Sequence, residues 1–205
     1  MEVNYKMVST KHYDTRNLVL LAILTAIVIA LQLLGAFIRF GTFSISLVLM
    51  PIAIGAALLG VLAGAWLGLV FGIVVLVSGD AGIFLAIDPA ATVFIVLLKG
   101  ALAGLAAGFA YKLLEGLNRT LAALEAAIVC PIVNTGIFIA GCYIFFLPTL
   151  TEWAGAANAV SVTAFIFLGM VGINFLLELG VNIVLSPTIV SLIQYRNDTK
   201  QTAGD

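Results

Sequence analysis

Apolar residues run along this chain in blocks of helix length, with polar residues gathered at the joints and at a few positions inside the blocks. A polar stretch over 1–16 precedes a first apolar helix, Asn17–Ala36. The aromatic-rich segment Phe37–Ser46 leads into a second helix, Leu47–Leu59, and a third covers Gly60–Ser78. After the loop Gly79–Pro89 come a fourth helix, Ala90–Leu113, the polar joint Leu114–Thr120 and a fifth helix, Leu121–Leu147. A second long loop, Pro148–Ser161, precedes a sixth helix, Val162–Ile193. About 20 apolar residues cross a bilayer as a helix. The pattern therefore predicts an all-α integral membrane protein: a tail over 1–16, a six-helix membrane domain over 17–195, and a tail over 196–205.

Only Gly60 separates the second and third helices, so a five-span reading with one long broken helix competes with six. Charge favours six. With six spans, Lys6, Lys11, Arg16, Lys112, Arg119, Arg196 and Lys200 share one side and only Arg39 lies opposite. By the positive-inside rule the shared side is the cytoplasm, so both termini are expected to be cytoplasmic in a multi-pass cell-membrane protein. The polar start lacks a small-residue cleavage site and reads as leading into a first span, not as a removed signal. A chain 63% hydrophobic and 9% charged excludes an ordinary soluble domain, and a net charge of -1 leaves no basic field for nucleic acid.

Small residues recur every fourth position in three helices: Ala22, Ala26 and Ala30 in the first, Gly60, Gly64, Gly68 and Gly72 in the third, and Gly100, Gly104 and Gly108 in the fourth. Such stripes let another backbone approach closely. The glycines are expected to pack within the chain. The alanines lie among Leu20, Ile23, Leu24, Ile27 and Ile29, and either pack internally or dock a separate membrane subunit.

Two ionisable residues interrupt the apolar blocks. Lys99 lies in the stretch Ala90–Tyr111, and Glu178 in the run Ala164–Val190. A charge at mid-bilayer costs roughly 2.5–3.5 kcal/mol on insertion scales, so it marks a polar site. On the six-span orientation Lys99 lies about 13 Å below the outer surface and Asn134 about 20 Å from the inner one. Asn174, Glu178 and Asn182 share a face of the sixth helix, and Pro131 is placed to kink the fifth just before Asn134. These groups converge on an outward-opening zone, either as a ligand site or as a structural network with Lys99 paired to Glu178. Phe37–Ser46, with Arg39 and Phe43, suits a lid, and Asp80, Asp88 and Trp153 fall near the mouth.

The six spans, the Ala22-x-x-x-Ala26-x-x-x-Ala30 stripe and the block Ile45-Ser46 … Pro51-Ile52 … Gly55 … Gly60 … Ala63-Gly64 resemble the substrate-binding S-components of energy-coupling factor (ECF) vitamin transporters, over about residues 16–195. The chain departs at Gly60-Val61, where many members carry Gly-Pro. The resemblance implies that the helix 1 alanines dock a transmembrane coupling subunit, that helices 4–6 with the first loop enclose a vitamin, and that two ATP-binding subunits supply energy. No G-x-x-x-x-G-K-[ST] phosphate loop occurs in this sequence, so the chain is not expected to hydrolyse ATP itself. A cation at Lys99 suits a carboxylate or phosphate, and the asparagines suit hydroxyls and amides. On that ground a pantothenate-like solute is favoured over riboflavin or folate.

Other classes fit less well. An intramembrane hydrolase needs a nucleophile beside a base, and the only histidine, His12, lies in the tail. Zinc and haem have almost no ligands to use, and Cys130 and Cys142, about 18 Å apart along one helix, are too distant for a disulfide. No cofactor or metal is expected. An autonomous secondary transporter or channel with Lys99 and Glu178 as an ion relay stays open.

Overall fold

The computed structural model describes residues 15–37, 39–40, 43–44 and 47–202. Helix α1 covers Thr15–Phe37 and is followed by a short ribbon, β1 (Arg39–Phe40) against β2 (Phe43–Ser44), antiparallel with Phe40 opposite Phe43. Helices α2 (Leu49–Leu59) and α3 (Val61–Val77) meet at Gly60. A short α4 (Gly82–Leu85) precedes α5 (Pro89–Leu114) and α6 (Arg119–Phe145). The chain ends with α7 (Leu147–Ala156), α8 (Val162–Ala164), a π-helix over Phe165–Val171 and α9 (Gly172–Thr202).

The long helices start where the chemistry of their first residues allows. Asp88 caps α5, its carboxylate accepting from the Ala91 amide, and Pro89 occupies a first-turn position where its missing N–H costs nothing. Asn118 caps α6 through the amides of Thr120 and Leu121. Gly60 has φ +98°, a left-handed conformation that favours glycine, and it turns the chain between α2 and α3. A Cβ on Gly55 would strike Leu67, and one on Gly64 would strike Ala56. In one continuous helix Gly55 and Leu67 would be about 18 Å apart. The two helices therefore fold back on each other as a hairpin and do not run on as one continuous helix.

α3 and α5 approach each other closely along their glycine stripes. A Cβ on Gly64 would meet the Gly104 carbonyl, and the reverse holds; Gly68 and Gly100 oppose each other in the same reciprocal way. Gly72 lies on Val96, and Gly108 on Val61. The two glycine stripes are thus the two halves of one antiparallel contact. In lipid, where apolar burial gives no net drive between helices, such backbone proximity with its dispersion contacts holds a pair together. Around it Ile52, Ala53, Leu67, Ala103, Ala107, Ala126 and Ala127 form a core of mostly small side chains.

Among the described residues, four helices are long and apolar enough to cross a membrane: Thr15–Gly35, Pro89–Leu114, Arg119–Phe145 and Val162–Leu192. α2 and α3 are apolar but shorter. The exposed Leu18, Val19, Ile23, Ile27, Leu176 and Val184 give α1 and α9 apolar outer faces, as lipid contact requires.

The structure revises several boundaries. The expected loop Pro148–Ser161 contains α7, whose Leu150, Trp153 and Ala154 turn one face inward while Thr151 and Glu152 stay exposed. The loop Gly79–Pro89 contains α4. Residues 196–202, read as tail, continue α9, since hydropathy falls there without any helix-breaking residue. The π-helix and the ribbon have no counterpart in the apolar pattern, which reports burial and not hydrogen-bond register.

Gly68→Val and Gly100→Val force α3 and α5 apart. Each is expected to destabilise the protein by about 1–3 kcal/mol, the range for overpacking. Gly136→Ala, with open space around it, should be neutral or slightly stabilising. Thermal unfolding of the detergent-solubilised variants checks both outcomes.

Candidate functional site

A cavity of about 130 Å³ lies where α1, α3, α5, α6, the π-helix and α9 converge. Its polar lining comes from separate elements: Gln32 on α1, Asp80 before α4, Thr92 and Lys99 on α5, Asn134 and Thr135 on α6, and Asn174 and Glu178 on α9. Phe71, Phe84, Phe138, Phe146 and Phe175 supply much of the apolar wall. A few polar groups within an aromatic wall are the usual composition of a small-molecule site.

The glycine contact sets the floor. It brings Phe71 of α3 close to Lys99 of α5, and the Lys99 Nζ lies 5.5 Å from the Phe71 ring centroid and 5.4 Å from that of Phe138. Within about 6 Å a ring face attracts a cation through its quadrupole. The carboxylates of Glu178 and Asp80 also act on this ammonium, Glu178 more strongly. Asp80 is tied to the first helix, because Gln32 Nε2 donates to its Oδ2 at 2.5 Å. Thr92 is buried, and its hydroxyl donates to the Asp88 carbonyl at 2.6 Å.

Asn134 is different. It is 6% exposed, and its Oδ1 is buried with no hydrogen-bond partner. A buried polar atom without a partner costs about 1–3 kcal/mol, so a native structure keeps one where a ligand or water completes it. Over the cavity, Phe84 meets Phe138 edge-on at 5.6 Å and Phe146 at 4.9 Å, with Trp153 of α7 at 6.2 Å. This cluster links α4, α6 and α7 beside the Gln32–Asp80 bond.

Of the residues singled out from sequence, Lys99, Asn134, Asn174 and Glu178 line this one cavity. Asn182, a turn beyond Glu178, is buried but does not line it. The side chains of Arg39 and Phe43 lie outside the described residues, as do parts of the Phe37–Ser46 segment. Sequence reasoning missed Gln32, Thr92 and Thr135. Gln32 carried a usable signal, since it is the strongest polar group within an apolar helix and sits two turns beyond Leu24 on the same face. Leu24, Val28 and Gln32 are buried, whereas Ala22, Ala26 and Ala30 are exposed, so the alanine stripe faces away from the cavity. Cys130 and Cys142 are free thiols, and Cys142 contributes to the cavity wall.

Among known proteins, the family model described as "ECF transporter, substrate-specific component" matches residues 16–190. No curated protein and no solved structure matches the chain.

Lys99→Met leaves the Glu178 and Asp80 carboxylates in one cavity without their cation. Breaking a buried charge pairing costs about 3–5 kcal/mol, so this variant should lose folding yield. Lys99→Met combined with Glu178→Leu should recover it. Monodisperse yield on size-exclusion chromatography is the readout, and equal yields for wild type and Lys99→Met would show that the charges are not coupled.

Proposed function

The chain belongs to the substrate-specific components of ECF transporters, and from that premise we propose that it captures a small water-soluble vitamin or vitamin precursor outside the cell and delivers it through an ATP-driven module. The observation that carries this reading is the cavity itself, where Gln32, Asp80, Lys99, Asn134, Asn174 and Glu178 are brought together from four helices and a turn inside an apolar chain. A purely structural knot has no need of an unpartnered acceptor at Asn134.

In this reading the chain crosses a bacterial plasma membrane six times with both termini in the cytoplasm. The hairpin of α2 and α3 supports the even count, as does the clustering of Lys112 and Arg119 with the terminal basic residues. Lys99 then lies ten residues into α5 from its outer end at Pro89, about 15 Å deep. In that orientation the aromatic cluster around Phe84 lies on the outer side of the cavity. Closure on that side keeps the solute in place while the protein presents it inward.

The partners are a coupling transmembrane subunit and two ATP-binding subunits. The exposed Ala22, Ala26 and Ala30 offer the coupling subunit a smooth helix face for close packing. Pantothenate, riboflavin and folate differ in the charge that they bring, and the balance of charge around Lys99 decides among such solutes.

Ala26→Trp should abolish co-purification with the coupling module and the solute uptake that depends on it, because the bulky ring prevents close helix approach. Ligand binding should stay within about twofold of wild type, since the residue faces away from the cavity. Undiminished complex formation by both Ala22→Trp and Ala26→Trp would remove the docking role. Uptake by the chain without any ATP-binding partner would instead identify an autonomous transporter.

A further inference from the structure

The cavity wall differs from the rest of the chain in its choice of apolar residues. Five of the chain's 13 phenylalanines line it: Phe71 of α3, Phe84 of α4, Phe138 of α6, Phe146 just after α6, and Phe175 of α9. Among the described residues no leucine does. The aliphatic groove between α1, α2 and α9 shows the contrast, being lined by Leu20, Leu24, Leu58 and Leu185 and, among the described residues, by no aromatic ring. Rings presented from four helices suit a flat aromatic body, which gains stacked or edge-to-face contacts beyond the area it buries. The space of about 130 Å³ is well below the roughly 300–1,000 Å³ of sites for larger ligands. It is close to the roughly 150 Å³ that accommodates benzene. A single ring with a short substituent fits.

Hydrogen bonding restricts the occupant as well. Gln32 Nε2 already donates to Asp80, and the Thr92 hydroxyl to the Asp88 carbonyl. Asn134 Oδ1 is, among the described residues, the buried side-chain acceptor left without a partner, and Asn134 lines the cavity. That oxygen needs an N–H or O–H donor. The carboxamide also carries N–H donors of its own beside the oxygen. The group that matches it most fully therefore offers a donor and an acceptor side by side, as an amide or lactam edge does. Such an edge satisfies Asn134 in either orientation of its carboxamide. Both constraints, flatness and the paired edge, hold whatever charge the solute carries.

We propose that this cavity selects a single-ring aromatic solute carrying an amide-type donor–acceptor edge, and that Asn134 is the residue that reads that edge. The proposal rests on the reading of the chain as a solute-capturing subunit and narrows the solute class. It turns the preference away from an open-chain, pantothenate-like solute, which has no flat face to set against five rings. It also places riboflavin and folate outside the preferred class, because each is larger than the space available.

The test uses three uncharged probes with the same number of non-hydrogen atoms, and thermal unfolding of the purified full-length protein as readout. Benzamide has both features, acetophenone replaces the amide nitrogen with a methyl, and cyclohexanecarboxamide replaces the flat ring with a saturated one. Benzamide should raise the unfolding temperature in a saturable way. Its apparent affinity should exceed that of acetophenone by about tenfold or more, the scale of leaving a buried acceptor unpaired. It should exceed that of cyclohexanecarboxamide by about threefold or more, the scale of aromatic contacts. Pantothenate should leave the unfolding temperature unchanged. Asn134→Leu removes an unpartnered polar atom, so it should fold at least as well as wild type, and it should erase the preference for benzamide over acetophenone. Phe175→Leu should shrink the preference for the flat ring and keep the preference for the donor. Equal shifts by benzamide and acetophenone overturn the proposal, as does a pantothenate shift as large as that of benzamide, or no shift with any probe. Co-purification with the coupling module is measured in parallel. Module capture without a benzamide preference overturns the proposal and leaves the transporter reading standing. A benzamide preference without module capture supports the proposal and defeats only the transporter reading.

Discussion

The close contact between the backbones of α3 and α5 fixes most of what surrounds it. Gly64 against Gly104 and Gly68 against Gly100 allow an approach that any side chain on those residues would prevent. α5 is the element against which α2, α3, α4 and α6 are arranged, so the glycine contact sets the central spacing of the bundle. It also sets the site, because Phe71 and Lys99 face each other just beyond the last glycine pair. Membrane helices gain little from burying apolar surface against each other, which is why small residues matter more here than large ones.

A buried ammonium needs partners, and this one recruits them from four places: a ring on α3, a ring on α6, a carboxylate on α9 and a second carboxylate in the turn before α4. The second carboxylate is held by Gln32 on α1. The opposite face of that same helix carries the exposed alanines. α1 thus presents Gln32 to the cavity on one face and the exposed alanines on another, two faces that do not overlap. That arrangement lets substitutions on one face leave the other function intact.

Much of this was legible in the sequence, for identifiable reasons. Long apolar blocks with polar joints leave little choice but membrane helices, and Lys99 and Glu178 were visible as costly exceptions. The asparagines at 134 and 174 followed from depth and helical spacing. Asn182 shares the i, i+4, i+8 face of α9 but is buried beyond the cavity lining, a limit set by packing that helical spacing does not report. Gln32, Thr92 and Thr135 were missed because single polar residues in apolar helices are common, and only packing shows which ones face inward. The helix α7 has no signature in the apolar pattern, because its short inward stripe, Leu150, Trp153 and Ala154, is interrupted by Thr151 and Glu152. The rings of Phe71 and Phe138 beside Lys99 were not legible, because only packing brings α3 and α6 to that side chain.

The most direct test of the central claim, that the polar cavity holds a small solute, is native mass spectrometry of the protein released gently from the membranes in which it was made. The account predicts a one-to-one adduct with a water-soluble molecule on the wild-type chain, and its loss from Asn134→Leu at equal folded yield. The same adduct retained undiminished on Asn134→Leu, or a wild-type chain carrying only lipid, would contradict it.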